Sequence, residues 1–286
     1  CMDLFRLPKF SRALFRSQRP ADEHLWQAES GPMAFIASHW TPGSSPNVRV
    51  FSNCEEVGLV LNGELIDRRS PDSDRLSTQL AHPPFTCQLK RFEPGTLEAI
   101  GYIGGQKAAH HVVRTPGVVR HLELSLDESW RPFAGEGKDV AFLRAMLLDD
   151  EGTLVADAWE NVWFGATGDI ELVGANPFSS DAGIGSILVQ SEIANPRGTV
   201  YALSLVRLRD QVRLLAAAYA FRGAPEPFEI RATTDGSDPS TGAVHYDGSL
   251  IPADRVRAEL SAGGRRLFAA DTESPKFRIA GSKAPE

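Results

Sequence analysis

"VRVFSNCEEVGLVLNGELI", residues 48–66, decides the reading of the chain. Asn62 and Gly63 stand between two apolar runs, and both tolerate the positive φ that a two-residue type I′ hairpin turn demands. The stretch therefore predicts two antiparallel strands joined at Asn62-Gly63. Strand signals continue on both sides. "MAFIASHW" (33–40) precedes it; "FTCQLKRFEPGTLEAIGYIGG" (85–105), divided at Pro94-Gly95, and "HHVVRTPG" (110–117) follow it. Short strands joined by Gly and Pro turns at this density predict a β-sandwich.

A second run begins at "VVRHLELSLDE", where Leu122, Leu124 and Leu126 alternate as one buried face of a strand. "DVAFLRAMLLDDEGTLVADA" (139–158) reads as a long strand, a polar turn and a returning strand, and the strand signals extend to "TVYALSLVRLRDQVRLLAAAYAF". The Pro-rich "GAPEPFE" (223–229) reads as a linker to a smaller strand-rich module. The expected class is all-β, in tandem β-sandwiches. The expected divisions are 1–27, 28–118, 119–222 and 223–286.

The opening residues break this pattern. "CMDLFRLPKFSRALFRSQRP" (1–20) predicts a helix with Pro8 in its first turn, Phe10 and Leu14 on one face, and Lys9, Arg12, Arg16 and Arg19 on another. Such a helix needs a surface for its apolar stripe; Phe15 is a further candidate for that stripe, and Trp26, just past the helix, is the natural docking residue.

Composition narrows the partners. The 286 residues carry a net charge of −7, which argues against a nucleic-acid partner, since phosphate binding needs a concentrated cationic surface. No apolar run approaches the roughly 20 residues that span a bilayer, so no membrane partner is expected. Cys1, Cys54 and Cys87 are too few and too far apart for a disulfide framework or a zinc site, and Cys54 and Cys87 read as buried free thiols, with a bridge between them as the alternative. No signal peptide opens the chain, yet periplasmic, secreted and cytoplasmic placements stay open if a longer chain precedes it.

Chemistry is sparse. Glu55 and Glu56 are neighbouring carboxylates of the kind used in acid–base catalysis, but their place after a strand reads as a solvated turn. Asp149, Asp150 and Glu151 bunch as a calcium site would, and equally as an acidic turn. His110 and His111 are adjacent in a predicted strand, so they point to opposite faces and cannot chelate one metal together. There is no G-x-S-x-G, phosphate-cradling loop or His-Glu-x-x-His pattern. No catalytic residue, metal or cofactor is expected. Trp40, Trp130, Trp159 and Trp163 are the candidates for carbohydrate contact, because an indole face stacks on a pyranose ring; core or interface packing is the competing role, and the favoured one for Trp159 and Trp163.

The order of these motifs resembles a known family. "DLFRLPKFSRALFRSQ", "MAFIASHW", "VRVFSNCEEVGLVLNGELI", "HPPFTCQLKRFEPGTLEAIGY", "VVRTPG" and "DVAFLRAMLLDDEGTLVADAWENVWFGATGDIELVGANP" are together similar to the region after the catalytic barrel in glycoside hydrolase family 2 enzymes of the β-galactosidase type. The resemblance covers roughly residues 3–220. "ANPF" (175–178) departs from the glycine-rich turn of the family, and "TTDGSDPSTGAVHYDG" resembles a chitobiase-type C-terminal fibronectin-like domain.

The resemblance implies that the tandem sandwiches are immunoglobulin-like, that the last module is fibronectin-like, and that residues 3–18 are the last barrel helix. It also implies that the family's acid/base and nucleophile carboxylates, about 5 to 5.5 Å apart in a retaining glycosidase, lie outside this sequence. The chain is then a scaffold and interface, inactive alone, whose parent hydrolyses β-galactosides or related β-glycosides. Its partners would be the parent's barrel, a carbohydrate and a second copy of the chain. A carbohydrate-binding module or a cell-surface interaction protein without hydrolase activity is the alternative.

Overall fold

The computed structural model describes residues 2, 3, 6–26, 29–128, 132, 133, 139–240 and 243–276. The chain divides into two compact units, at Pro116 and Gly117. Apart from one short helix and a single 3-10 turn, the regular structure among the described residues is antiparallel β, as the turn and alternation signals predict.

In the first unit, β1 (Ala34–Ile36), β2 (Asn47–Ser52) and β5 (Phe85–Gln88) make one sheet, in the order β1-β2-β5. β3 (Glu56–Leu61), β4 (Glu64–Arg69), β6 (Thr96–Ile103) and β7 (Gln106–Arg114) make the other, in the order β4-β3-β6-β7. Every second residue turns inward: Val48 and Val50, Phe85 and Cys87 from one sheet meet Val57, Leu59, Leu61, Leu97 and Ala99 from the other. Trp40, from the loop after β1, fills the same core.

The hairpin at Asn62-Gly63 forms as predicted. Asn62 has φ 52° and Gly63 φ 86°, both in the left-handed region that a type I′ turn requires. The Asn62 carboxamide does more than tolerate the turn. Its oxygen accepts the Thr96 N–H at 2.9 Å and its nitrogen donates to the Pro94 carbonyl at 3.2 Å. Gly95, at φ 135°, leaves the space for this: a Cβ there would fall 1.8 Å from the Asn62 oxygen. Two turns distant in sequence are thereby locked together.

The second unit has three sheets. β8 (His121–Leu126), β9 (Asp139–Leu148), β11 (Glu171–Val173) and β13 (Ile184–Ser191) form the first, ordered β11-β13-β9-β8. β10 (Asn161–Gly168), β12 (Phe178–Ser179), β14 (Gly198–Leu208), β15 (Gln211–Ala220) and β18 (Ile251–Pro252) form the second, ordered β12-β10-β14-β15-β18. β16 (Phe228–Thr233), β17 (Val244–His245), β19 (Arg257–Ala262) and β20 (Arg265–Asp271) form the third, ordered β17-β16-β19-β20.

The five-stranded sheet lies between the other two. Val162, Phe164, Val200, Ala202 and Val206 pack toward Leu143, Leu147, Ile187 and Val189, with Leu122, Leu124 and Leu126 at the margin. Their alternates Trp163, Tyr201, Leu203 and Leu205 pack the other way, onto Ile230, Ala232, Ala258 and Leu260. The Pro-rich residues 223–227 therefore lead straight into a sheet that shares a core with the preceding sandwich, and β18 adds to that sandwich's own sheet. Gly165 permits the close approach, since a Cβ there would meet the Phe268 ring at 2.7 Å.

One local expectation is corrected. The segment after Glu151 is no returning strand; it makes one isolated bridge, Leu148 with Leu154. The reason is Asp149, whose buried carboxylate accepts the backbone N–H groups of Gly117, Glu151 and Thr153 at 2.8 to 2.9 Å and so holds the chain in a turn. The "ANPF" loop contains a cis Asn176-Pro177 bond, and the Asn176 carboxamide both donates to and accepts from the Phe164 backbone, standing in for a neighbouring strand.

Candidate functional site

The opening helix α1 (Phe10–Ser17) is short enough to be marginal alone, so its packing explains its presence. Lys9 is its N-cap, in extended conformation, which places Pro8 before the helix rather than in its first turn. Phe10, Ala13 and Leu14 lie on Met33, Phe35, Ala37 and Phe51 of the first unit. The Phe10 ring centroid is 5.8 Å from that of Phe35 and 4.9 Å from that of His39. The docking partners are thus β1, β2 and the approach to Trp40.

Polar groups fix the helix in register. Gln18 exchanges two hydrogen bonds with the backbone of His82, donating at 2.8 Å and accepting at 3.1 Å. The buried Asn53 carboxamide accepts the Met33 N–H at 2.8 Å and donates to the carbonyls of Arg19 and Gly31, both at 3.1 Å. Asn53 sits beside Glu55 and Glu56 in "SNCEEV", where attention to the carboxylates hid it. The signal available was the residue type: a short carboxamide ending a strand satisfies backbone groups of a neighbouring segment well.

On its outward side the helix is differently made. Arg12 and Arg16, four residues apart, converge on Glu29 at 3.5 and 3.0 Å. Phe15 is 64% exposed, because it lies about 140° around the helix from Phe10 and so falls outside the docked stripe. Trp26 is 91% exposed and does not dock the helix, contrary to its expected role. Its side chain is not part of the cluster that Phe10 and Phe35 close. A groove of about 540 Å³ runs beside the helix, between Lys9, Arg12 and Arg16 on one side and Phe35, His110 and His111 on the other.

The remaining candidates do not converge. Glu55 accepts the Gly104 N–H at 2.8 Å, while Glu56 pairs with Arg68 at 2.6 Å on another part of the surface. His110 contacts Glu98 at 2.9 Å, and His111 turns inward to accept the Ile36 N–H at 3.2 Å and lie against Phe35, so the two point to opposite faces as predicted. Cys54 and Cys87 are buried free thiols; burial raises both, Cys87 to about 12, which keeps that thiol protonated and unreactive. Among the described residues, no three His, Cys, Asp or Glu side chains group as a metal site, and no helix is long and apolar enough to cross a membrane.

Trp40 and Trp163 form no sugar platform. Trp40 is fully buried beside Phe92, at 4.8 Å between centroids, and Trp163 is buried between the second and third sheets of its unit. Neither ring can reach a ligand, since each fills core volume. Trp159 precedes β10 and is partly covered, with the Lys276 ammonium 6.0 Å from its ring. Trp130 lies outside the described residues.

Residues 43–109, within the first unit, match a family model described as a domain of unknown function, DUF4982. A β-galactosidase of Thermoanaerobacter pseudethanolicus is 35% identical over 202 residues, which are 66% of this chain and 26% of that protein. The relatives of this chain are β-galactosidases and β-glucuronidases, and its structural neighbours include family 2 glycoside hydrolases. The β-galactosidase BoGH2A of Bacteroides ovatus is 28% identical over 184 residues, 63% of this chain and 20% of that one. The crystal structure of a glycosyl hydrolase family 2 member from Bacteroides cellulosilyticus shares the fold with a TM-score of 0.57 at 20% identity, over 77% of this chain and 31% of that chain. The chain thus spans about a quarter of the length of the curated relatives it matches.

Proposed function

We propose that this chain is the accessory β-sandwich region of a longer retaining β-glycosidase, one that hydrolyses β-galactosides or related β-glycosides. The sandwiches are its scaffold. The outward side of α1 with Phe15, together with the exposed Trp26, is the surface that meets the catalytic barrel. The observation that carries this reading is the two-sidedness of the helix: one side is locked to the first sandwich, while the other leaves Phe15 64% exposed, and Trp26, after the helix in the chain, is 91% exposed. Large aromatics left open beside a fixed helix suit a partner surface. The relatives supply the partner's chemistry, since they are glycosidases of which this chain matches about a quarter.

The test has two arms. The isolated chain is assayed on aryl β-galactosides, β-glucuronides and β-mannosides, and no turnover above buffer is expected; turnover lost on changing one of its own carboxylates would refute the reading. The upstream portion of the parent is then expressed separately and mixed with it. Association is expected, and it should weaken severalfold in Phe15→Ser and Trp26→Ser. Undiminished association in the double variant would show that another face makes the contact.

A further inference from the structure

A pocket of about 380 Å³ opens in the second unit where the edge strand β8 meets β15. Arg120 and His121 line it from the first sheet of that unit, Arg213 from the five-stranded sheet, and Tyr246 from the segment after β17. Two guanidinium groups from different sheets thus face one space in a chain whose net charge is −7.

Their pairing is incomplete. Arg120 and His121 share one carboxylate, that of Asp150, at 3.5 and 3.6 Å, and Asp150 is 71% exposed. The Arg213 side chain makes no ion pair or hydrogen bond among the described residues, and its Nε is buried; the Arg120 Nε, also buried, lies 3.5 Å from the Asp150 carboxylate without closing a hydrogen bond. A buried donor left unmatched costs free energy, and a planar guanidinium recovers that cost best against an oxyanion that accepts two parallel bonds. Tyr246 adds a neutral donor. Its oxygen already accepts the Leu214 N–H at 3.3 Å, which leaves its own proton to give, and burial raises its pKa and keeps that proton in place.

We propose that this pocket binds a small oxyanion, a phosphate or a sugar carboxylate, between Arg213 and Arg120 with Tyr246 as the third donor. The volume exceeds that of one phosphate group, so a ligand carrying the anion on a sugar-sized body fits as well. Asp150 swings aside as the ligand enters, since it is exposed and holds Arg120 and His121 only loosely.

The 286-residue chain, isotopically labelled, is titrated with sodium phosphate and separately with sodium glucuronate, with chloride keeping ionic strength constant. Saturable amide shifts confined to residues 120–122, 213–216 and 246–248 are expected with at least one anion. Saturation by phosphate alone identifies a phosphate-type ligand, and saturation by glucuronate alone a sugar acid. Affinity should fall about tenfold or more in Arg213→Gln, the effect of losing a charged hydrogen-bond pair. Tyr246→Phe, a smaller change, should weaken binding severalfold and serves if Arg213→Gln does not fold. Non-saturating shifts spread over exposed arginines such as Arg91, or equal affinity in both variants, would overturn the proposal.

Discussion

At Gly63 the backbone has φ 86°, and a Cβ added there would meet nothing within 4 Å. Its substitution therefore isolates the conformational term from packing. Gly63→Val should destabilise the first unit by about 1 kcal/mol or more, read as a lowered urea midpoint, because a β-branched residue resists positive φ. Gly101 in β6 is the opposite case. Its φ lies outside the left-handed region, but a Cβ would fall 2.5 Å from the Cys54 sulfur and 3.2 Å from the Ala109 Cβ. Gly101→Ala should cost about 1 to 3 kcal/mol by overpacking. Added to Cys54→Ala it should cost clearly less, a coupling that a double-mutant cycle measures. The turn at Asn62-Gly63 was legible in the sequence, since a local dipeptide carries its own φ requirement. The constraint on Gly101 was not, because it is set by a side chain 47 positions away that only the register of β3 on β6 brings near.

For the helix, periodicity located Phe10 and Leu14 on the docked face but could not say what they dock on. That is decided by Met33, Phe35 and Phe51, which other strands deliver. The packing has a pH consequence. His39 lies against Phe10, and His111 against Phe35 with its Nδ1 accepting the Ile36 N–H. Burial lowers both below the ordinary histidine value of 6.5. With the folded pKa depressed, the unfolded chain takes up protons first, so stability is full above 6.5 and is lost as pH falls from there toward the folded values. Urea midpoints between pH 8 and 5 should decline over that window. The decline should be shallower in a His39→Gln, His111→Gln variant, and hydrogen exchange in residues 10–18 should quicken at the acid end of the wild-type series.

Across the second unit, the sequence placed the strands but read residues 223–229 as a linker, because Pro-rich composition reports local stiffness and says nothing of what the strands beyond it cover. The better signal was "TVYALSLV" in β14, a run apolar but for Thr199 and Ser204, of the kind a strand covered on both faces requires. Trp163, Tyr201, Leu203 and Leu205 need the third sheet as cover. A chain ending at Arg222 should expose that face, bind an apolar dye and aggregate at concentrations where the full chain stays dispersed. Equal thermal stability and no dye binding would show that the third sheet is dispensable.

The shared core bears on how such chains can be assembled from parts. A piece exchanged between genes must carry its own interior, and a breakpoint at 223 hands over a sheet with half of its interior left behind. Trp163 and Phe268, which pack on opposite sides of that line, would have to travel together. Where two aromatic rings sit thus disfavours exchange of residues 223 onward as a detachable cassette.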